Sequence, residues 1–368
     1  MRALALKTVV SAAVNALRYS LGLLVCALAL TACGKDPAHE ALGLTTENAI
    51  LPLYADFAAA SERLLADNEQ FCKRPDADGL ATLQEQWRRT MLAWQAAQVI
   101  LFGPIAVDNQ AWHLQFWPDK KNLTARKTEA LLAGDQAIDD AALEHAGVIV
   151  QGLSAMEYLL FDPASAELNK LAETRRCQLL VAQARQINRV ATGLLDHWRG
   201  GYGKTFSNPG EGNATFPNAA TAIGALVDSL ALQAEVVARR KLAEPLGLGS
   251  RSGIPQPYSA ESWRSRHSLA NIGANLRGID RLYSAGLESY LVTRDQAALA
   301  QTLRRQLDTT RSALDAAMTP LFDAATQPPA REQLGALQAE VAELVRLLKR
   351  ELPPALGVSL GFNSNDGD

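Results

Sequence analysis

The chain has 368 residues, with 36 Lys and Arg against 39 Asp and Glu and a formal net charge of -3. Nearly half of it is apolar (48%), enough to bury a large core. The mildly acidic balance, without clustered Lys and Arg, argues against nucleic acid or an anionic lipid surface as an electrostatic partner.

In chain order, the first feature is an export signal. Arg2, Lys7 and Arg18 precede any acidic residue, and Tyr19 to Leu30 form an apolar core of 12 residues. A bilayer span needs about 20, so this core is too short to be one. It ends in Leu30-Thr31-Ala32-Cys33, which resembles the lipobox of bacterial lipoproteins. Residues 1–32 are therefore expected to be removed as a signal peptide, and Cys33 to carry the lipid, palmitate included. Gly34 after the cysteine favours, by the same resemblance, the outer membrane facing the periplasm. The remaining chain has 33 basic and 39 acidic residues, a charge of -6. Residues 33–44 are expected to be a poorly ordered tether.

Once Cys26 is lost with the signal and Cys33 is acylated, Cys72 and Cys177 remain. In an oxidising compartment they are expected to pair as a disulfide, with two free buried thiols as the alternative. Thr90 to Val107 runs without a charge, but Gln95, Gln98 and Gly103-Pro104 make it a buried helix followed by a turn rather than a membrane span.

Further along, the apolar periodicity is helical. Ile149, Leu153, Met156 and Leu160 share one stripe, as do Leu337, Val341, Leu344 and Leu348, and Leu303, Leu307 and Leu314 follow a similar one. Period-2 runs are scarce, which predicts an all-α protein. The Gly/Pro/Ser-rich stretch 200–218 divides the chain into two helical-bundle halves, about 45–200 and 215–352, packed side by side. A second such stretch, 245–259, reads as a long loop, and the tail 353–368 as flexible.

Two catalytic signatures fail on spacing. Gly203-Lys204-Thr205 lacks the earlier glycine of a phosphate loop, and Gly152-Leu153-Ser154-Ala155-Met156 lacks the second glycine of a nucleophile elbow. The histidines His39, His113, His145, His197 and His267 form no pair at helical zinc-ligand spacing.

On the 150–161 stretch, Ser154 and Glu157 lie one turn apart beside the apolar stripe. A carboxylate there is costly to bury unless it is paired, hydrogen-bonded or on a metal; the alternative is a bundle-edge side chain reaching water. Within 262–283, Leu269, Ile272, Leu276, Ile279 and Tyr283 define an apolar face. Arg264, Ser268, Asn271 and Asn275 fall on another, which reads either as the lining of a polar cleft or as an ordinary outer face.

Gly152-Leu153-Ser154-Ala155-Met156-Glu157 is similar to the Gly-x-His-x-x-Glu signature of imelysin-like proteins. Trp87, Trp94, Phe102-Gly103-Pro104 and Trp117-Pro118 resemble, in order, that family's aromatic helix, turn and later Trp-Pro. The likeness runs from about Glu47 to about Leu352. It implies an all-helical fold of two halves, export to the cell envelope, a link to iron uptake and a metallopeptidase label. Ser154 stands where the histidine would be, and Gln98 replaces a glutamate common there; both are poorer metal ligands.

The candidate binding residues are thus Gly152, Ser154, Glu157, Arg264, Ser268, Asn271 and Asn275, with Glu157 the candidate ligand for iron or another divalent metal. The leading reading is a non-enzymatic binding or accessory lipoprotein in iron uptake. A metallopeptidase with Glu157 at a metal site is the alternative. A third is a scaffold that docks on an outer-membrane transporter or a neighbouring envelope lipoprotein.

Overall fold

The computed structural model describes residues 36–360. Residues 1–35, which include the expected signal peptide and lipidation site Cys33, and residues 361–368 lie outside the described residues, which contain helices and loops and no strand.

Helix α1 (Pro37–Thr45) starts where its sequence says it should. Asp36 accepts from the Ala38 amide at 3.0 Å, and Pro37 supplies a first-turn residue with no amide to satisfy. Its buried face, Ala38, Ala41, Leu42 and Thr45, seats it on the core, so most of the expected tether is helix. A π-turn at Thr46–Ile50 carries the chain on into α2 (Leu51–Lys73). The antiparallel α3 (Ala77–Ala97) is capped by Asp76, which accepts from Gly79. As expected from its uncharged sequence, 90–107 is a buried helix end followed by a turn: Met91, Trp94, Ala97, Val99 and Ile100 are all buried.

The site elements follow. Helix α4 (Gly152–Phe161) is buried along most of its length. The long α5 (Thr174–His197) packs on α2, and Cys72 and Cys177 form a disulfide that joins them with a Cα–Cα distance of 5.5 Å. The stretch 200–218 is more ordered than a loop, because a π-turn at Trp198–Tyr202 and a short helix at Gly203–Ser207 occupy its first part. Helix α6 (Ala219–Glu235) runs on through a π-helical segment, Val236–Ala243.

The 245–259 loop is pinned by Arg331, which donates to the carbonyls of Leu246 and Gly253, both at 2.8 Å. Then come α7 (Ser268–Leu282), α8 (Ala297–Asp315) and α9 (Pro328–Arg346). Beyond them Leu352–Leu356 is again helical, with Leu352, Pro353 and Leu356 buried, so the first residues of the expected tail are packed.

One buried apolar cluster extends from Leu42 to Leu356. The stripes read from sequence are in it: Leu153, Met156 and Leu160, then Leu303 and Leu307, then Leu337, Val341, Leu344 and Leu348. Two glycines set the approaches that matter for the site. A Cβ on Gly152, whose φ is +69°, would fall 2.3 Å from the Leu114 carbonyl oxygen. A Cβ on Gly278 would fall 2.3 Å from that of Ala96, so only glycine lets α7 come this close to α3.

Candidate functional site

Glu157 projects from α4 into the interior, with only 4% of its surface exposed. The bundle-edge alternative is thereby excluded. Its Oε1 accepts from both the amide and the hydroxyl of Ser265, at 2.9 and 2.8 Å. Burial pushes its pKa up to about 7; the two Ser265 bonds and the nearby Arg264 charge oppose the rise, and Glu261 adds to it. A carboxyl poised near neutrality can give up or take a proton, or exchange a proton for a cation.

Beside Glu157 is a small cavity of about 30 Å³, lined among others by Ser154, Asp119, Thr124, Gln115, Ser262 and Arg264. One water needs roughly 10–15 Å³ by the same measure, so the cavity suits a water or a single ion and is far too small for an organic ligand. Two of its walls are carboxylate-bearing. Asp119 is fixed by accepting from the amides of Leu123 and Thr124, at 2.7 and 2.9 Å. The Thr124 hydroxyl, buried in the same wall, has no hydrogen-bond partner among the described residues.

Arg264 does not pair with Glu157. Its Nε donates to Asp162 at 2.8 Å, and its guanidinium lies 4.4 Å from the Trp263 ring centroid. Its place on the α7 stripe is also corrected. Helix α7 begins only at Ser268, because 262–267 form a tight turn in which Ser262 and Arg266 take positive φ.

Ser268, Asn271 and Asn275 do share a buried face of α7, as the spacing predicted. They turn toward a second polar centre, built on residues the sequence reading passed over. Lys241, 2% exposed, is surrounded by the side-chain oxygens of Gln95 (2.6 Å), Asn275 (2.8 Å) and Glu261 (2.9 Å), with Gln98 at 3.4 Å. Glu261, equally buried, accepts also from Gln95, Gln115 and Asn271 at 3.1, 2.9 and 3.0 Å. Asn275 donates to the Gln95 carbonyl at 2.8 Å, across the contact that Gly278 permits, and the Ser268 hydroxyl caps the Glu261 carbonyl. Burial lowers the Lys241 pKa, while the Glu261 charge and hydrogen bond hold the ammonium form. Gln115 links the two centres, lining the Glu157 cavity and donating to Glu261.

Glu157, Ser154 and Arg264 thus share the cavity, while Ser268, Asn271 and Asn275 support the layer behind it. Gly152 supports from below, letting α4 start against the Leu114 backbone. Lys241 sits in an Arg239-Arg240-Lys241 run that reads as solvated, and Glu261 follows a Pro/Ser-rich loop. The available signal was Gln95 and Gln98 in the uncharged stretch 90–107, where amides need buried partners.

Residues 50–348 match the family model for imelysin, which carries the label peptidase M75. The chain belongs to the imelysin family. Iron-regulated protein A of Synechococcus elongatus is 24% identical to it over 341 residues, covering 88% of this chain and 89% of that protein. An imelysin-like protein from Psychrobacter arcticum 273-4 superimposes with a TM-score of 0.76 at 21% identity, covering 89% of this chain and 99% of that one. A putative iron-regulated protein A precursor from Parabacteroides distasonis does so with 0.69 at 17%, covering 86% and 96%. The helical imelysin fold is therefore the fold of this chain.

Proposed function

We propose that this imelysin-family chain is an exported, lipid-anchored accessory protein of iron acquisition that binds without catalysing, and that its binding centre is the Glu157 cavity. The observation that carries the reading is the set of oxygen donors in the lining, which stand beside the Arg264 guanidinium and the Phe116, Trp117 and Trp263 rings. Glu157 and Asp119 bring carboxylates, Ser154, Thr124 and Ser262 bring hydroxyls, and Gln115 brings an amide. Such donors suit a hard cation such as ferric iron better than zinc, which prefers imidazole and thiolate. The unpartnered Thr124 hydroxyl in the wall is consistent with an occupant.

The metallopeptidase reading fits these residues less well. No histidine lines the cavity, and among the described residues no three His, Cys, Asp or Glu side chains converge as metal ligands. The iron in this proposal is cargo, held or sensed by the protein. The names of the Synechococcus and Parabacteroides relatives support that direction. Docking on an outer-membrane transporter or an envelope lipoprotein would place the cargo site where iron enters.

The test is accumulation of radiolabelled iron by iron-limited cells that carry the wild-type chain, Glu157→Gln or Ser154→Phe in place of the native copy. Reduced accumulation by both variants at unchanged protein level is expected. Unchanged accumulation by both would remove the cavity from iron acquisition.

A further inference from the structure

A second cavity, far larger than the Glu157 site, lies elsewhere on the described residues. It is a surface cavity of about 1070 Å³ between the C-terminal half of α5 and the 103–110 segment. A second basin of about 310 Å³ adjoins it, since Asp108, Gln110, Arg189 and Val190 line both. The first lies in the range of small-molecule sites.

The larger part is apolar, walled by Pro104, Val107, Val190 and Leu194. Gly193, Gly200 and Gly201 also line it, and a Cβ at any of the three would meet nothing within 4 Å, so side chains could fill this space but do not. The smaller basin is polar and predominantly anionic. Asp108, Asp140 and Glu144 line it against the Arg189 cation and His113. Asp140 is held by Arg185 at 2.8 Å and Arg189 at 3.4 Å, whereas Asp108 and Glu144 carry no ion pair among the described residues. The basin is also bounded by Gln186, which is 5% exposed. Its Nε2 donates to the His113 carbonyl at 3.0 Å, while its Oε1 accepts from nothing among the described residues. Asp108 itself is held with φ +51°, a conformation uncommon for a non-glycine residue.

We infer that this double cavity is a second binding site, distinct from the Glu157 centre, for an elongated organic cation. The ligand has an apolar body and a terminal amine or guanidinium: the body lies over the glycine-lined wall, and the cationic end enters the basin of Asp108, Glu144 and Gln186. Apolar contact along α5 supplies affinity, and the unpaired carboxylates select charge.

Dansylcadaverine, an apolar fluorophore on a short alkyl chain ending in an amine, tests this by fluorescence anisotropy on the chain from Gly34 onward, which retains the whole described fold. Saturable binding with Kd below about 1 mM is expected, at least about tenfold tighter than that of the N-acetylated, uncharged probe. Gly193→Phe, whose ring would fill the apolar part, should abolish it. Asp108→Asn, which keeps the backbone conformation accessible, should weaken the amine probe but not the acetylated one. Glu157→Gln should leave it unchanged. Equal binding of the two probes, indifference to Gly193→Phe, or no saturation would overturn the inference.

Discussion

Replacing Lys241 with Met separates a buried structural cation from an incidental surface lysine. The methionine matches the lysine stem but leaves the Glu261 carboxylate, 2% exposed, with amide donors and no counter-charge. It also strips the ammonium from the oxygens of Gln95 and Asn275. Removing one member of a buried pair costs about 3–5 kcal/mol, most of it from the charge left behind. Spread over a fold of this size, that is a fall in Tm of about 4–7 °C. The double variant Lys241→Met/Glu261→Gln removes both charges and keeps an amide able to bond with Gln95, Gln115 and Asn271. It should recover about half the loss or more, giving a coupling of at least about 2 kcal/mol. Urea unfolding followed by tryptophan fluorescence is a suitable assay, since Trp94 donates to Gln115 in the same network at 2.8 Å. A Lys241→Met loss under about 1 kcal/mol, or strictly additive losses in the double variant, would refute the reasoning.

Glu157→Gln should alter the pH dependence of stability in a defined direction. Its folded pKa of about 7 lies above the unfolded value of 4.5, so its contribution is complete below about pH 4.5 and is lost as pH rises through 7. The glutamine variant should therefore gain on the wild type by about 3 kcal/mol between pH 4.5 and 8, read from urea midpoints; parallel pH curves would contradict the burial argument. His267 has the opposite sign. Burial, with the Arg88 charge, lowers its pKa to about 4, so the stability it contributes is present above pH 6.5 and lost as pH falls through 4. His267→Leu should flatten the acid limb of the same curve, and an unaltered limb would place the acid sensitivity elsewhere. Cys72→Ser should cost about 2–5 kcal/mol under oxidising conditions, and reductant should bring the wild type down to the level of the variant. Gly152→Ala faces both φ +69° and the Leu114 carbonyl, so it should lose at least about 2 kcal/mol in thermal unfolding.

Sequence carried the helical fold because apolar spacing and caps are local signals. Leu337, Val341, Leu344 and Leu348 sit where their period puts them, and Asp36-Pro37 begins α1 by ordinary capping chemistry. Glu157 was legible because a carboxylate among so many apolar neighbours needs an explanation. Arg264 was placed on the wrong element, since the turn before α7 depends on positive φ at Ser262 and Arg266, residue types that give no such warning. Lys241 and Glu261 were not legible at all. They meet only where the 236–243 segment and the turn before α7 come together in the tertiary fold, and Arg239-Arg240-Lys241 looks like any solvated charge run. Gly278 marks the approach of α7 to α3, but a helical glycine does not say which backbone it touches.

The central claim, an oxygen-lined cation centre at Glu157 that binds without catalysing, is tested most directly by equilibrium titration of ferric and zinc ions against the chain from Gly34 onward, with Glu157→Gln alongside. One ferric site is predicted, tighter than zinc, weakened at least about tenfold by the variant, and weaker at pH 5.5 than at pH 7.5 because protons compete for a carboxyl whose pKa is about 7. Zinc binding tighter than ferric, accompanied by chelator-sensitive peptide hydrolysis that depends on Glu157, would contradict the account.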